Sequence, residues 1–447
     1  MSHAIHCGTF ESESHWRDPA LAKLPSIPNP SGAASVQAMD EMLFVFCGKS
    51  DQVITAHAMN SAHVQYLREI GFCFSHNTFD LNPGHDEEGP REGAPANIFA
   101  LMTSRESRAQ LRDFLGEGGI LEPFAVLSGT AEAARAYELG GRFPSLDVIR
   151  RVNTKSYSLE IRRRLGIPGV GFEVSDISRL CEVGATLLQT GAFLIKDDYG
   201  VSGRGNQLVT SRGTLEVISK HLTRQVNKGL RLSFVLEPYW DKAGDFSCQF
   251  RVSEDGATTH IAVQRLDNNG LAFGTSRSAS EDFLNSLDAA GYFELMGRIG
   301  TELHRDGYHG DVCVDSMELA DGTFHPLVEI NARKSMSLIK HHIDQHLARS
   351  GFHGCLTSVP LINERGRCFA DVLEQLRSRS LLFQGERDFG VLPLTCGTAF
   401  GPRFESGNAS KRGRLYFAAV CDSDDERHCL VAAFRKALEE TGFRALL

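Results

Sequence analysis

The sequence predicts an α/β domain followed by a larger α+β region, in a chain of two or three domains. Three observations predict it. At 447 residues the chain exceeds the roughly 150 of one typical domain. Strand-then-helix units recur between Met42 and Leu139, and from Phe193 to Ile330 the pattern changes to short strands, several joined by Asp-Gly turns and set among helices.

The elements follow in order. Residues 1–40 carry Pro19, Pro25, Pro28 and Pro30 with few periodic apolar positions, which predicts a leading arm with at most one short helix. Met42 to Gly48 is a compact apolar run ending in a loop, as a buried strand does, and Ala62 to Ile70 has helical spacing ahead of Gly71. Asn82 to Ala96, rich in Pro, Gly and acid, is a loop. Leu121 to Leu127 reads as a strand and Thr130 to Leu139 as a helix stopped by Gly140-Gly141, so that 41–150 forms a small α/β domain. A second domain, 151–349, opens with a capped helix from Asn153 to Gly166. Strands follow at Phe193–Lys196, Ser233–Pro238, Phe246–Val252, Ile261–Leu266, Val312–Leu319 and Phe324–Ile330. Helices near Phe369–Ser378 and Asp425–Gly442, with a strand at Leu415–Val420, make a C-terminal subdomain over 350–447.

Composition narrows the function classes. With 42% hydrophobic and 23% charged residues and a net charge of −9, the chain is expected to be a globular protein with no nucleic-acid partner and no affinity for a membrane surface. Eleven scattered cysteines without a C-x-x-C pair argue against a zinc ribbon or a disulfide framework, and acidic residues stand where a leader would need an apolar core. A cytoplasmic location is the expectation. Of the 47 basic residues 36 are Arg, and only Lys155, Lys196, Lys220 and Lys228 occur between Ser50 and Asp241. Each lysine there stands against an arginine background.

Three segments carry chemistry. Around the turn at Gly322, a hairpin whose loop is Asp321-Gly322-Thr323 sets Asp315 opposite Glu329, with Asn331 on the same face. Facing carboxylates repel by up to about 1 kcal/mol unless a cation lies between them, and oxygen ligands of this kind select a hard ion such as Mg²⁺. Alone, the pair also fits polar residues on a solvated strand face. In Phe193-Leu-Ile-Lys196-Asp-Asp-Tyr-Gly200-Val-Ser-Gly203-Arg204-Gly205, a strand delivers one lysine to a loop whose glycines let backbone N–H groups approach an anion. The strand Phe234 to Trp240 ends in an acidic and aromatic cluster, Glu237-Pro238-Tyr239-Trp240, suited either to a purine edge or to core packing.

Taken in order, with Lys155 ahead of them, these segments resemble the ATP-grasp superfamily, over roughly Leu43 to Ile339. The resemblance implies an ATP-grasp fold preceded by a Rossmann-like pre-ATP-grasp domain, with ATP and Mg²⁺ as cofactors, two ions being usual and Mn²⁺ a substitute. It assigns ATP phosphates to Lys155 and Lys196, the phosphate-covering loop to Gly203, Arg204 and Gly205, the adenine hinge to Glu237, Pro238 and Tyr239, and the metal to Asp315, Glu329 and Asn331. Arg333 matches an arginine that some branches place near the transferred phosphate. Several amino-acid ligases of the superfamily have an arginine where this chain has Cys313, so Arg265 is a second candidate beside Arg333 for oxyanion stabilisation.

The reaction implied is an acylphosphate formed from a carboxylate and ATP, then attacked by an amine or a thiol, with release of ADP and phosphate. Architecture and the segment Asn331 to Met336 look most like the pheganomycin-type peptide ligases of antibiotic biosynthesis. The partners expected are a small-molecule carboxylate and amine, such as amino acids or peptides. The phosphopantetheine thiol of a carrier protein is the alternative acceptor, for which Arg162 to Arg164 is the candidate docking cluster, and a non-catalytic nucleotide-binding regulator is the third reading. A homodimer is compatible with the sequence. His342 and His346, at i and i+4, share a helix face next to His341 and invite a metal reading, but with no fourth ligand beside them a solvated face is the expectation.

Overall fold

The first residues of the chain are not an arm. In the computed structural model, which describes residues 3–26, 30–81, 97–200, 205–269, 272–363, 367–385, 389–400 and 412–446, they supply a central strand. The strands β1 (Ala4–Cys7), β2 (Gln52–Ile54), β3 (Ser75–His76) and β4 (Ile120–Pro123) form a parallel sheet in the order β3-β2-β1-β4. This matches the first four positions of the 3-2-1-4-5-6 order of a doubly wound, Rossmann-like sheet. The prolines that suggested an arm all lie after β1, and residues 82–96, predicted as a loop, fall outside the described residues.

Because β2 and β4 occupy both edges of β1, no place remains beside it for the predicted strand at Met42 to Gly48. That run is instead part of a 3-10 helix, Ala38–Phe46, in which Met39 to Val45 are all buried. A continuous apolar run does not by itself distinguish a buried strand from a buried helix. Asp40 accepts the Ala56 amide (2.7 Å), and Glu41 accepts the amides of Cys396 (2.6 Å) and Gly397 (3.0 Å), which ties this helix to the end of the chain.

The strands β5 (Phe172–Val174), β6 (Phe193–Asp197), β7 (Asn206–Val209) and β8 (Phe234–Pro238) form an antiparallel sheet ordered β5-β8-β6-β7, backed by the helices Ile177–Leu187 and Arg212–Val226. Alternation decides what each strand presents. Phe193 and Ile195, with Phe234 and Leu236, belong to the core under those helices, so Leu194, Lys196 and Glu237 point to the other face.

The third sheet has nine strands: β9 (Lys242–Val252), β10 (Thr258–Asn269), β11 (Ala272–Ser278), β12 (Gly310–Leu319), β13 (Phe324–Asn331), β14 (Gly354–Asn363), β15 (Gly390–Pro393), β16 (Arg412–Val420) and β17 (Phe443–Ala445). Its order is β13-β12-β9-β10-β11-β14-β16-β15, with β17 pairing with β14. Strands contributed after residue 350 thus prolong the sheet that carries the Asp315 hairpin, rather than standing apart from it.

The helix Lys155–Leu165 begins where the Thr154 hydroxyl accepts the Tyr157 amide (3.0 Å) and ends at Gly166, whose φ of 66° is the left-handed conformation open to glycine. Among the described residues no helix is long and apolar enough to cross a membrane, and all eleven cysteines are free thiols.

Candidate functional site

A cleft of about 280 Å³ lies between the inner face of the β5–β8 sheet and the β9–β13 end of the large sheet. The hairpin β12-β13 pairs Asp315 with Glu329 and Cys313 with Asn331. The turn is longer than Asp321-Gly322-Thr323, since Glu318 pairs with Phe324 and Met317 with His325; a bulge between Met317 and Asp315 restores the register that brings the carboxylates opposite each other. The Asn331 amide nitrogen donates to Asp315 (2.9 Å). Burial first, then the Glu329 charge, pushes the Asp315 carboxyl up from 3.8 to about 7. No group of three His, Cys, Asp or Glu suited to a metal occurs among the described residues. The donor set here is two carboxylates and an amide oxygen, which suits an octahedral ion that keeps several waters.

Across the cleft, Lys196 is 7% exposed and ion-paired with Glu237, whose other oxygen is ion-paired with Arg162. Burial draws the Lys196 ammonium down to about 7; Arg162 and Lys155 push the same way, while Glu329 and Asp315 oppose. The direct contact with Glu237 favours the charged form. Arg162 also donates to His325 (3.2 Å), and burial, then Arg162 and Lys196, lowers that imidazole to about 4, so it is the neutral acceptor. Lys155, also buried, donates to the Gly200 carbonyl (3.0 Å) and to Glu329 (3.3 Å), joining the loop after β6 to the hairpin.

Gly200 and Gly205 close the base of that loop. A Cβ on Gly205 would stand 2.2 Å from the Gly200 Cα, and one on Gly200 would stand 2.5 Å from the Gly205 Cα, so this backbone crossing requires glycine at both positions. Gly203 and Arg204 lie outside the described residues. In the hinge segment the Glu237 carboxylate is consumed by its two cations, and the Tyr239 amide donates to the Ala192 carbonyl (2.9 Å). What the segment offers the cleft is the Tyr239 ring, 47% exposed, together with Pro238 and Trp240.

The two arginine candidates separate. Arg333 lines the cleft; its guanidinium donates to Asn331 Oδ1 (3.2 Å), to the Lys334 carbonyl (3.1 Å) and to Glu13 (2.9 Å from Nε). Arg265 is not brought to the carboxylates. It pairs with Phe246, which pairs with Ser316, so its side chain lies on the sheet face opposite Asp315. There it bonds Glu318 (2.7 Å) and lies 4.2 Å from the Phe283 ring centroid. Cys313 is buried, its thiol pushed up to about 12 chiefly by burial, as suits a packing residue rather than a nucleophile.

Two participants escape a reading of the sequence. Arg162 sits in a run of three arginines that looks like surface, yet it is 3% exposed. The usable signal is its position seven residues after Lys155, which puts both on one helix face. Glu13, from the leading segment, also lines the cleft, and no spacing in the sequence points to it. The histidines of the helix Met336–Ala348 are packed rather than solvated: His346 bonds the Ile70 carbonyl (2.9 Å) and stacks on Phe72, and His342 meets Phe46 edge-on.

No family model matches the chain. The butirosin acyl-carrier protein–L-glutamate ligase of Niallia circulans is 26% identical over 207 residues, which are 44% of this chain and 48% of that protein. The chain thus matches about half the length of this curated relative. Among solved structures, N5-carboxyaminoimidazole synthase from Aspergillus clavatus, in complex with ADP and 5-aminoimidazole ribonucleotide, superposes with a TM-score of 0.52 at 12% identity, covering 98% of this chain and 99% of that one. The biotin carboxylase domain of Hydrogenobacter thermophilus 2-oxoglutarate carboxylase, in complex with MgADP and bicarbonate, gives 0.50 at 13% identity, covering 93% and 89%. At such identities the likeness is one of fold.

Proposed function

From the ATP-grasp fold that the chain shares with these enzymes, we propose that it is an ATP-dependent carboxylate–amine ligase that makes an amide through an acylphosphate and releases ADP and phosphate. The observation that carries this reading is the convergence in one cleft of a buried lysine, a facing carboxylate pair with its asparagine, and an arginine: Lys196, Asp315, Glu329, Asn331 and Arg333. ATP phosphates would meet Lys196 and the loop of Gly203, Arg204 and Gly205, with Lys155 bracing Glu329 and that loop. The base would lie against Pro238 and Tyr239. Asp315, Glu329 and Asn331 would hold Mg²⁺, for which Mn²⁺ can substitute; when bound it neutralises charge on the phosphates.

The chain's own groups then supply positioning and a positive field, which is most of what phosphoryl transfer asks of a protein. A carboxylate oxygen attacks the γ-phosphorus and ADP leaves. The acceptor nitrogen attacks the acyl carbon, and phosphate leaves. Arg333, beside Asn331, stabilises the oxyanion. We place the substrates in the amino-acid and peptide class and the reaction in antibiotic biosynthesis, a reading supported by the glutamate and the butirosin pathway named for the Niallia relative.

That name also favours a second reading, in which the acceptor is the thiol of a carrier protein. Against it, the candidate docking cluster is taken up internally: Arg162 by Glu237, Arg163 by Glu173, and Arg164 by Glu160, Glu302 and Asp306. Incubation with ATP, Mg²⁺ and a mixed pool of amino acids and peptides, with and without a phosphopantetheinylated carrier protein, read by nucleotide analysis and product mass spectrometry, tests both. ADP, phosphate and an amide are expected; AMP and pyrophosphate would overturn the acylphosphate route.

A further inference from the structure

We propose that Glu13 receives the acceptor amine and takes its proton, an inference that rests on the ligase reading above. Glu13 is 4% exposed and lines the cleft that holds Asp315, Glu329 and Asn331. Its Oε1 accepts two donors from Arg333, Nε at 2.9 Å and Nη2. Its Oε2 is buried and has no hydrogen-bond partner among the described residues. The other carboxylates of the cleft are engaged: Asp315 with Asn331, Glu329 with Lys155, Glu237 with Lys196 and Arg162, and Asp245 with Lys242 and Asn268. A buried carboxylate oxygen without a donor calls for one, and an ionised carboxylate can only accept, so the missing partner is an N–H or O–H donor, a role the ammonium of an entering amine fills.

The segment is built to hold this side chain in place. Trp16 donates to the Val126 carbonyl (2.9 Å), Arg17 is ion-paired with Asp197 at the end of β6, and Glu11 adopts a φ of 57°, a conformation that non-glycine residues take only where the surroundings impose it. Through Arg333, which bonds Asn331, and Asn331, which bonds Asp315, Glu13 stands two side chains from the carboxylate pair.

The proton balance closes. An acceptor entering as an ammonium gives one proton to Glu13 Oε2, which passes it to solvent. The freed lone pair attacks the acylphosphate carbon; the C–N bond forms, the C–O bond breaks, and its electron pair leaves on phosphate, which takes the second proton from nitrogen.

Hydroxylamine separates the steps, because its nitrogen is already unprotonated at neutral pH. With ATP, Mg²⁺ and a pool of L-amino acids, the native protein is expected to form hydroxamates when hydroxylamine is added and amides when it is not. Glu13→Gln should keep most of the hydroxamate rate and lose about 100-fold or more in amide formation at pH 7. The loss should shrink as pH rises and free amine accumulates. Glu13→Asp, melted beside it with and without MgADP, separates misfolding from loss of function and should retain the native pH profile at a lower rate. Hydroxamate and amide rates falling together would reduce Glu13 to a prop for Arg333 and overturn the proposal, as would an unchanged amide rate. Native protein that makes hydroxamate but no amide would overturn an amine acceptor, and the proposal with it. Native protein that makes neither hydroxamate nor ADP would instead overturn the ligase reading itself.

Discussion

Lys196, Glu237 and Arg162 form one buried cluster of two cations and one anion, so removing different members has opposite consequences for stability. Lys196→Met deletes a cation and leaves a neutral Glu237–Arg162 pair in place of a cluster with excess positive charge. Replacing a buried charge by an apolar group of similar volume is often neutral or stabilising. Glu237→Gln leaves two buried cations facing each other, and stripping a buried ion of its partner costs about 3–5 kcal/mol. The lower end applies here, because burial has already brought Lys196 to about 7 and it can shed its proton. The native chain carries a matching pH signature. Lys196 titrates near 7 when folded and near its ordinary 10.5 when unfolded, so the unfolded state binds more protons across that window. Stability therefore rises with pH from 7 towards 10.5, and Lys196→Met should flatten the rise. Function should show the reverse ranking of damage. Losing a charge that meets the transferred phosphate costs about 10²–10³ in kcat, roughly 2.7–4 kcal/mol. Urea unfolding and ADP release, measured on both variants, check the pair of expectations. A Lys196→Met protein as destabilised as Glu237→Gln, or one that turns over at the native rate, would refute the reasoning.

Glu329→Gln should lower turnover by at least about 100-fold. Its stability should move by less than about 1 kcal/mol, since the amide oxygen can still accept from Lys155 while the repulsion on Asp315 is relieved; paired assays of ADP release and urea midpoint report this. Gly205→Ala places a Cβ 2.2 Å from the Gly200 Cα and should weaken MgADP binding about tenfold or more, about 1.4 kcal/mol by calorimetry. Glu41 is raised by burial from 4.5 to about 7 against the amides of Cys396 and Gly397. The folded state then binds more protons than the unfolded between those values, so stability should fall by up to about 3 kcal/mol as pH rises through the window. Glu41→Gln should remove that slope, which urea midpoints from pH 5 to 8 would show.

Local rules made much of this protein legible. The alternation of Phe193 and Ile195 with Lys196, the Thr154 cap and Gly166 stop of the Lys155 helix, and the hairpin around Gly322 all follow from contacts between near neighbours in sequence. Even there, a loop counted too short and a bulge cancel to give the Asp315–Glu329 pairing. Elsewhere the deciding partner is remote. Met42 to Phe46 is as apolar as a strand, and becomes a 3-10 helix because β1, from the start of the chain, already lies between β2 and β4. Arg265 carries the charge its position suggested, but the strand register turns it to the opposite face of the sheet from Asp315.

By itself, then, the sequence determined which residue types could serve phosphate and metal, and in what order they come: Lys155, Lys196, the glycine loop, Asp315, Glu329, Asn331 and Arg333. Only the tertiary structure decided that Arg162 is buried against Glu237, that Arg265 lies on the other face of the sheet from Asp315, and that Glu13 meets Arg333 across 320 residues of chain. The physical reason is that a strand or helix period constrains neighbours through short-range hydrogen bonds and sterics. The burial and pairing of a charge, in contrast, depend on which distant surfaces the packed sheets bring together.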